Sequence, residues 1–243
     1  MKRTALLAGF LLFCALQAHS QYYLDAEGGR ASAANNTVRI PSDGGTRLSL
    51  TEDLKADPAL YIRFRIGRVV GKHDISLLIA PLTLNSEGVL RKDVSYNGKT
   101  FAAGINTKAE YRFNSYRIKY LYTFRKDARL VLKYGGALKM RHAGIKLQND
   151  IQETEYSNTG LVPLAAFSAE WRLRPGYALL FDLEGLAAPQ GRAEDAMLTV
   201  QRDLARGVKA RLGYRILEGG SGAGEVYTFA LVSYWLAGVT WQF

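Results

Sequence analysis

Along most of its length the chain alternates between apolar and polar residues. In LYIRFRI, Leu60, Ile62, Phe64 and Ile66 fall on one side and Tyr61, Arg63 and Arg65 on the other, as they would on an extended strand whose successive side chains point to opposite faces. SYRIKYLYTF sets Tyr116, Ile118, Tyr120, Tyr122 and Phe124 against Ser115, Arg117, Lys119 and Thr123. VKARLGYRI sets Val208, Ala210, Leu212, Tyr214 and Ile216 against Lys209, Arg211 and Arg215, and YALLFDLEG sets Tyr177, Leu179, Phe181 and Leu183 against Asp182 and Glu184. Helical periodicity is scarce, and after residue 20 no apolar run approaches the ~18 residues of a spanning helix. The alternation predicts ten strands, over 21–30, 58–69, 74–83, 108–124, 128–143, 159–173, 177–186, 195–203, 207–217 and 227–243. Most have the length that a tilted strand needs to cross a bilayer, about 9–11 residues.

The connections alternate too. Short turns are expected near 70–74, 125–127, 174–176 and 203–207, and longer polar or glycine-rich loops at about 31–57, 84–107, 144–158, 187–194 and 218–226. Short turns at one end and long loops at the other, with an even count returning both termini to the short-turn end, describe a membrane barrel. The fold class expected is therefore all-β: an antiparallel up-and-down transmembrane β-barrel of ten strands, with eight as the alternative, forming a single domain over 21–243. Aromatic residues support it. Tyr120, Tyr122, Phe124, Trp171, Tyr177, Trp241 and Phe243 fall near the short turns, and Tyr214, Tyr227 and Phe229 near the opposite end, as two interfacial girdles would.

The first twenty residues, MKRTALLAGFLLFCALQAHS, have a different pattern. Lys2 and Arg3 precede an apolar run that ends on Ala18-His19-Ser20, which reads as a secretory signal peptide cleaved before Gln21. Cleavage removes Cys14, the single cysteine of the chain, so no disulfide is expected in the mature protein. Loss of Lys2 and Arg3 leaves 30 basic residues against 22 acidic, a formal charge of +8. A basic exported chain without a nucleic-acid motif is expected to meet anionic lipid or lipopolysaccharide phosphate and no nucleic acid.

The closing residues SYWLAGVTWQF place Trp235, Ala237, Val239, Trp241 and Phe243 on every second position. A terminal aromatic with alternating apolar residues behind it resembles the C-terminal assembly signal of bacterial outer-membrane proteins. The whole pattern resembles the small outer-membrane β-barrel proteins of the OmpA/OmpX and ten-stranded kind. The resemblance implies the Gram-negative outer membrane as location, outer-membrane lipid and lipopolysaccharide as surroundings, the assembly machinery as a partner through Trp241 and Phe243, and a monomer. It implies no activity, because the same barrel carries adhesins, enzymes and pores.

Functional chemistry is expected inside, since membrane barrels turn polar residues inward. The inward set comprises Asp25, Glu27, Arg63, Arg65, Arg117, Lys119, Lys133, Lys139, Glu170, Asp182, Glu184, Lys209, Arg211 and Arg215, nine basic and five acidic. Buried charges must be paired or hydrated, so these residues are expected to form a charge network that fills the lumen, with Asp25 and Glu27 near Arg63 and Arg65, and Asp182 and Glu184 near Lys209 and Arg211. A structural or interaction role follows. A narrow, porin-like anion-preferring channel is the alternative, from the basic excess, and an enzyme acting on lipid A or peptides is a third.

Catalysis has little to build on. Of the histidines only His73 and His142 lie beyond the leader; they are expected in a short turn and near the outer end of a strand, too far apart to cooperate. The omptin proteases, also ten-stranded, act through an Asp pair and an Asp-His pair at the rim, and this chain has no Asp-x-His. No metal or cofactor motif is present, so none is expected. NGK and EGGSGAGE at 218–225 lack the context of a phosphate loop and read as hairpin loops.

Overall fold

The structure, a computed structural model, describes residues 20–243. The expected signal peptide over 1–20 lies outside the described residues, Ser20 excepted. Ten strands form the wall: β1 (Ser20–Arg39), β2 (Ala59–Val70), β3 (His73–Ala80), β4 (Asn106–Lys126), β5 (Leu130–Gln148), β6 (Glu153–Arg174), β7 (Tyr177–Ala188), β8 (Gly191–Ala205), β9 (Val208–Ser221) and β10 (Tyr227–Gln242). Each pairs antiparallel with its chain neighbour, and β10 pairs with β1 from Tyr23–Gln242 to Arg39–Tyr227. The sheet is thus closed, with ten strands rather than eight. Closure matters physically, because lipid offers no hydrogen-bond partner to an open strand edge.

The alternation is visible in exposure. Ile62, Phe64, Ile66, Ile75, Leu77, Ile79, Leu212 and Trp235 are all exposed, while Arg63, Arg117, Arg211 and Arg215 are buried. Apolar outside and charged inside is the reverse of a water-soluble barrel, and the outer belt is what a hydrocarbon surrounding requires. Among the described residues no helix is long and apolar enough to cross a membrane.

Four short turns and both described ends lie at one end of the barrel, where Tyr22 and Phe243 exchange backbone hydrogen bonds of 2.9 Å. The turn between β4 and β5 is held by Asp127, whose carboxylate accepts from the amides of Arg129 and Leu130 and from the Arg125 guanidinium. The Arg129 amide first, then Arg125 and the Leu130 amide, keep its carboxyl below the usual range.

At the other end the structure differs from the sequence expectation. The first strand continues to Arg39 instead of stopping at residue 30. The expected loops at 144–158, 187–194 and 218–226 are in large part strand, and only 149–152, 189–190 and 222–226 turn. The hairpins run on because β4, β5 and β6 hold 21, 19 and 22 residues, about twice what spanning needs. Beyond Ala80, Thr83–Val89 continues along β4, and the hairpin Val94–Tyr96 with Lys99–Phe101 turns at Asn97-Gly98. Both turn residues have positive φ, 48° and 77°, the geometry of a two-residue hairpin turn. Together with residues 40–58 these segments pack Leu48, Leu50, Leu84, Val94, Tyr96 and Phe101 against one side of the outer mouth, which is thereby capped. On the side formed by β6 to β9 the cluster takes in only Tyr156, Leu180, Met197 and Leu217, one residue from each strand.

Candidate functional site in the barrel lumen

A layer of buried charges crosses the lumen, built around two carboxylates. Asp195 on β8 receives Arg215 at 2.5 Å, Arg117 at 2.8 Å and Arg63 at 3.2 Å. These three arginines come from β9, β4 and β2, so a single carboxylate ties four strands across the interior. Glu27 on β1 receives Arg215 at 2.8 Å, Arg211 at 3.1 Å and the Tyr61 hydroxyl at 3.2 Å, with Arg63 at 3.9 Å. Glu184 binds Arg117 at 2.8 Å, and Lys119 bridges Glu184 and Asp182 at 3.0 and 2.9 Å. Each charge lost its water on burial, and each is met by an opposite charge with hydrogen bonds, the condition under which burial is tolerated.

Asp25 and Glu27 lie opposite Arg65 and Arg63 as the sequence suggests, with Glu27 3.9 Å from Arg63, but the other partners differ from the expectation. Asp182 and Glu184 meet Lys119, Arg117 and, at 3.8 Å, Arg65, not Lys209 and Arg211. Asp25 pairs with Arg211 and accepts from Thr240 at 2.6 Å. Towards the short turns Lys133 binds Asp74 at 2.7 Å and Lys209 lies 3.7 Å from Glu170. Asp195 and Asp74 were not among the predicted residues. Of the nine predicted cations, Lys139 alone has no carboxylate within 4.0 Å among the described residues.

The layer divides the lumen. On the short-turn side is a cavity of about 150 Å³ bordered by Tyr23, Asp74, Lys133 and Glu170. On the outer side is a chamber of about 420 Å³ bordered by Phe113, Lys139, Val162, Leu186, Leu217 and Val232. No residue lines both. The packing between them is tight: a Cβ built on Gly238 would lie 2.7 Å from Cζ of Arg211. Gly238→Ala should therefore displace that guanidinium from Asp25 and Glu27 and cost about 1–3 kcal/mol, the usual range for overpacking. Urea unfolding from lipid vesicles measures it, with loop variant Gly222→Ala as the neutral control.

The histidines do not join this site. His73 Nδ1 is 2.8 Å from the Tyr120 hydroxyl and His142 Nδ1 2.9 Å from the Thr159 hydroxyl. Opposite β4 they face Tyr122 and Asn114, eight positions and roughly 26 Å apart along a strand. Trp241 and Phe243 lie on the exterior with ring centroids 4.8 Å apart. Among the described residues there is no cluster of three potential metal ligands.

No protein-family model and no curated protein matches the sequence. Among solved structures the fold is similar to the outer membrane protease OmpT from Escherichia coli, at 10% identity and a TM-score of 0.64, covering 92% of this chain and 97% of that one. Ail, the attachment invasion locus protein of Yersinia pestis, gives 11% identity and a TM-score of 0.40, covering 93% and 99%. The transport unit of the autotransporter AIDA-I from Escherichia coli gives 8% identity and 0.47, covering 92% and 90%. The chain thus has the fold of the outer-membrane β-barrels, in a closed ten-stranded form. At such identities the likeness is one of architecture.

Proposed function

We propose that the protein resides in the bacterial outer membrane, holds its lumen shut, and acts through its outward face in a structural or interaction role rather than as a pore or an enzyme. The observation that carries this reading is the layer of Glu27, Asp195 and their arginines, which separates the two cavities. An ion would have to break several buried, hydrogen-bonded pairs at once to pass. The outer leaflet, with its lipopolysaccharide, is the surrounding that the apolar belt and the basic chain would meet. The protease activity of the structural neighbour is not carried over, since His142 lies beside a threonine and not a carboxylate.

Planar-bilayer recording tests the reading. The wild-type protein should show no resolved conductance steps. Asp182→Asn combined with Glu184→Gln frees Lys119 of both its carboxylates and Arg117 of one, and should loosen the layer and admit a current carried by anions. Wild-type steps of the same size as the variant's would replace the closed scaffold with the narrow anion channel.

A further inference from the structure

The wall has an opening on the outer side, between β6 and β7. Their pairing starts at Ala165–Gly185 and runs towards the short turns. Above it β6 stays paired with β5 up to Gln148–Glu153, and β7 with β8 up to Ala188–Gly191. The edge of β6 over residues 156–164 therefore has no strand partner on the β7 side, whereas the Glu153 and Glu155 carbonyls accept from Lys99 and Asn97. Pro163, which has no N–H to give a neighbouring strand, lies two positions beyond the last pair. The 420 Å³ chamber continues into this gap, because its lining includes outward-facing Leu161 and Pro163 of β6 together with inward-facing Val162. Leu161 and Pro163 are the last apolar residues on the outer face of β6 before Thr159 and Ser157, so the opening lies at the upper rim of the lipid belt.

The chamber also contains a buried cation that the charge layer does not use. Lys139 is 3% exposed and lines the chamber. Among the described residues its Nζ has no carboxylate within 4.0 Å, and the Phe113 ring lies 5.6 Å away, a contact worth far less than a charge pair. Lys139 pairs in register with Val162, one strand from the opening, and Arg141 follows it on the same inward face, bound to Asn158 at 2.9 Å. An apolar chamber, a way out to hydrocarbon and an unmatched buried ammonium together specify a ligand with one chain and one negative charge.

We propose that the chamber binds a single-chain anionic amphiphile, with its carboxylate or phosphate held by Lys139 and Arg141 and its acyl chain leaving between β6 and β7 into the lipid belt. The inference rests on the barrel's lying in a bilayer, not on the closure of its lumen. A conducting wild type would overturn the functional reading above and leave this one standing.

The test uses the full mature chain in phosphatidylcholine nanodiscs, with palmitate, 1-palmitoyl lysophosphatidate and hexadecanol as probes and native mass spectrometry as readout. At least one of the two anions should bind, and the uncharged alcohol about tenfold more weakly or worse, the cost of one charge-assisted contact. Binding of the phosphate alone assigns a phospholipid source, and of the carboxylate alone a fatty acid. Lys139→Met should lose the bound anion while its unfolding midpoint stays level or rises, because an unpaired buried charge is removed. Leu186→Trp, which fills the opening, should lose it too. Failure of both anions to bind, equal binding of the alcohol, or a lowered midpoint for Lys139→Met would each overturn the proposal; the last would make Lys139 part of the structural layer.

Discussion

Exchange of Asp195 for asparagine is expected to destabilise the barrel by about 3–5 kcal/mol, the usual cost of taking one partner from a buried charge pair. The side chain keeps its volume, so the loss is electrostatic. Arg63, Arg117 and Arg215 would each lose a carboxylate at 2.5–3.2 Å within the buried layer. Glu27 and Glu184 remain, but they already serve Arg211 and Lys119. Urea titration of refolded protein in vesicles, read by tryptophan emission, measures the effect. An exposed pair gives the contrast: Asp127→Asn at the β4–β5 turn removes a partner of Arg125 in solvent, and should change far less. If Asp195→Asn were as mild as Asp127→Asn, the layer would be hydrated enough to conduct, and the closed-scaffold reading would fail with it.

Why Asp195 escaped the sequence is instructive. In GRAEDAM, Arg192, Glu194 and Asp195 crowd charge onto neighbouring positions, so the segment up to 194 reads as a loop and Asp195, the first residue of the strand expected over 195–203, does not stand out as facing inward. Once the strand is known to begin at Gly191, Asp195 shares its face with Met197, Thr199 and Gln201. Inside and outside were legible for β2, β4, β7 and β9 because period two is a local property. Partner choice was not. Arg117 reaches Glu184 and Asp195 across the lumen, and which residues face each other there depends on the stagger of strands around the barrel, which no single strand encodes. The packed cap over the mouth was half legible. Val38, Ile40, Leu48, Leu50 and Leu54 are too apolar for a solvated loop, yet nothing local says what they cover. Pro163 was the available sign of the opening, since proline inside a strand marks an edge.

The assignment of the outer face is tested most directly at Leu212. It is the middle residue of the five outward positions Val208, Ala210, Leu212, Tyr214 and Ile216 of β9, and is 67% exposed beside Val200 of β8 and Ala237 of β10. A guanidinium there has hydrocarbon on its open side and apolar neighbours on both others, so Leu212→Arg should cost about 2–4 kcal/mol, as cations do near a bilayer midplane. Leu204 on β8 is 58% exposed, close to the short turn that joins β8 to β9. Near the interface an arginine can reach headgroups and water, and Leu204→Arg should cost only about 0–1 kcal/mol. The difference between two exposed leucines, measured by unfolding from vesicles, is then a measure of depth. In detergent micelles, which deform around a charge, the difference should shrink. Equal costs in vesicles would mean that the exposed belt does not face a bilayer of ordinary thickness, and both the membrane placement and the lipid-side opening between β6 and β7 would have to be given up.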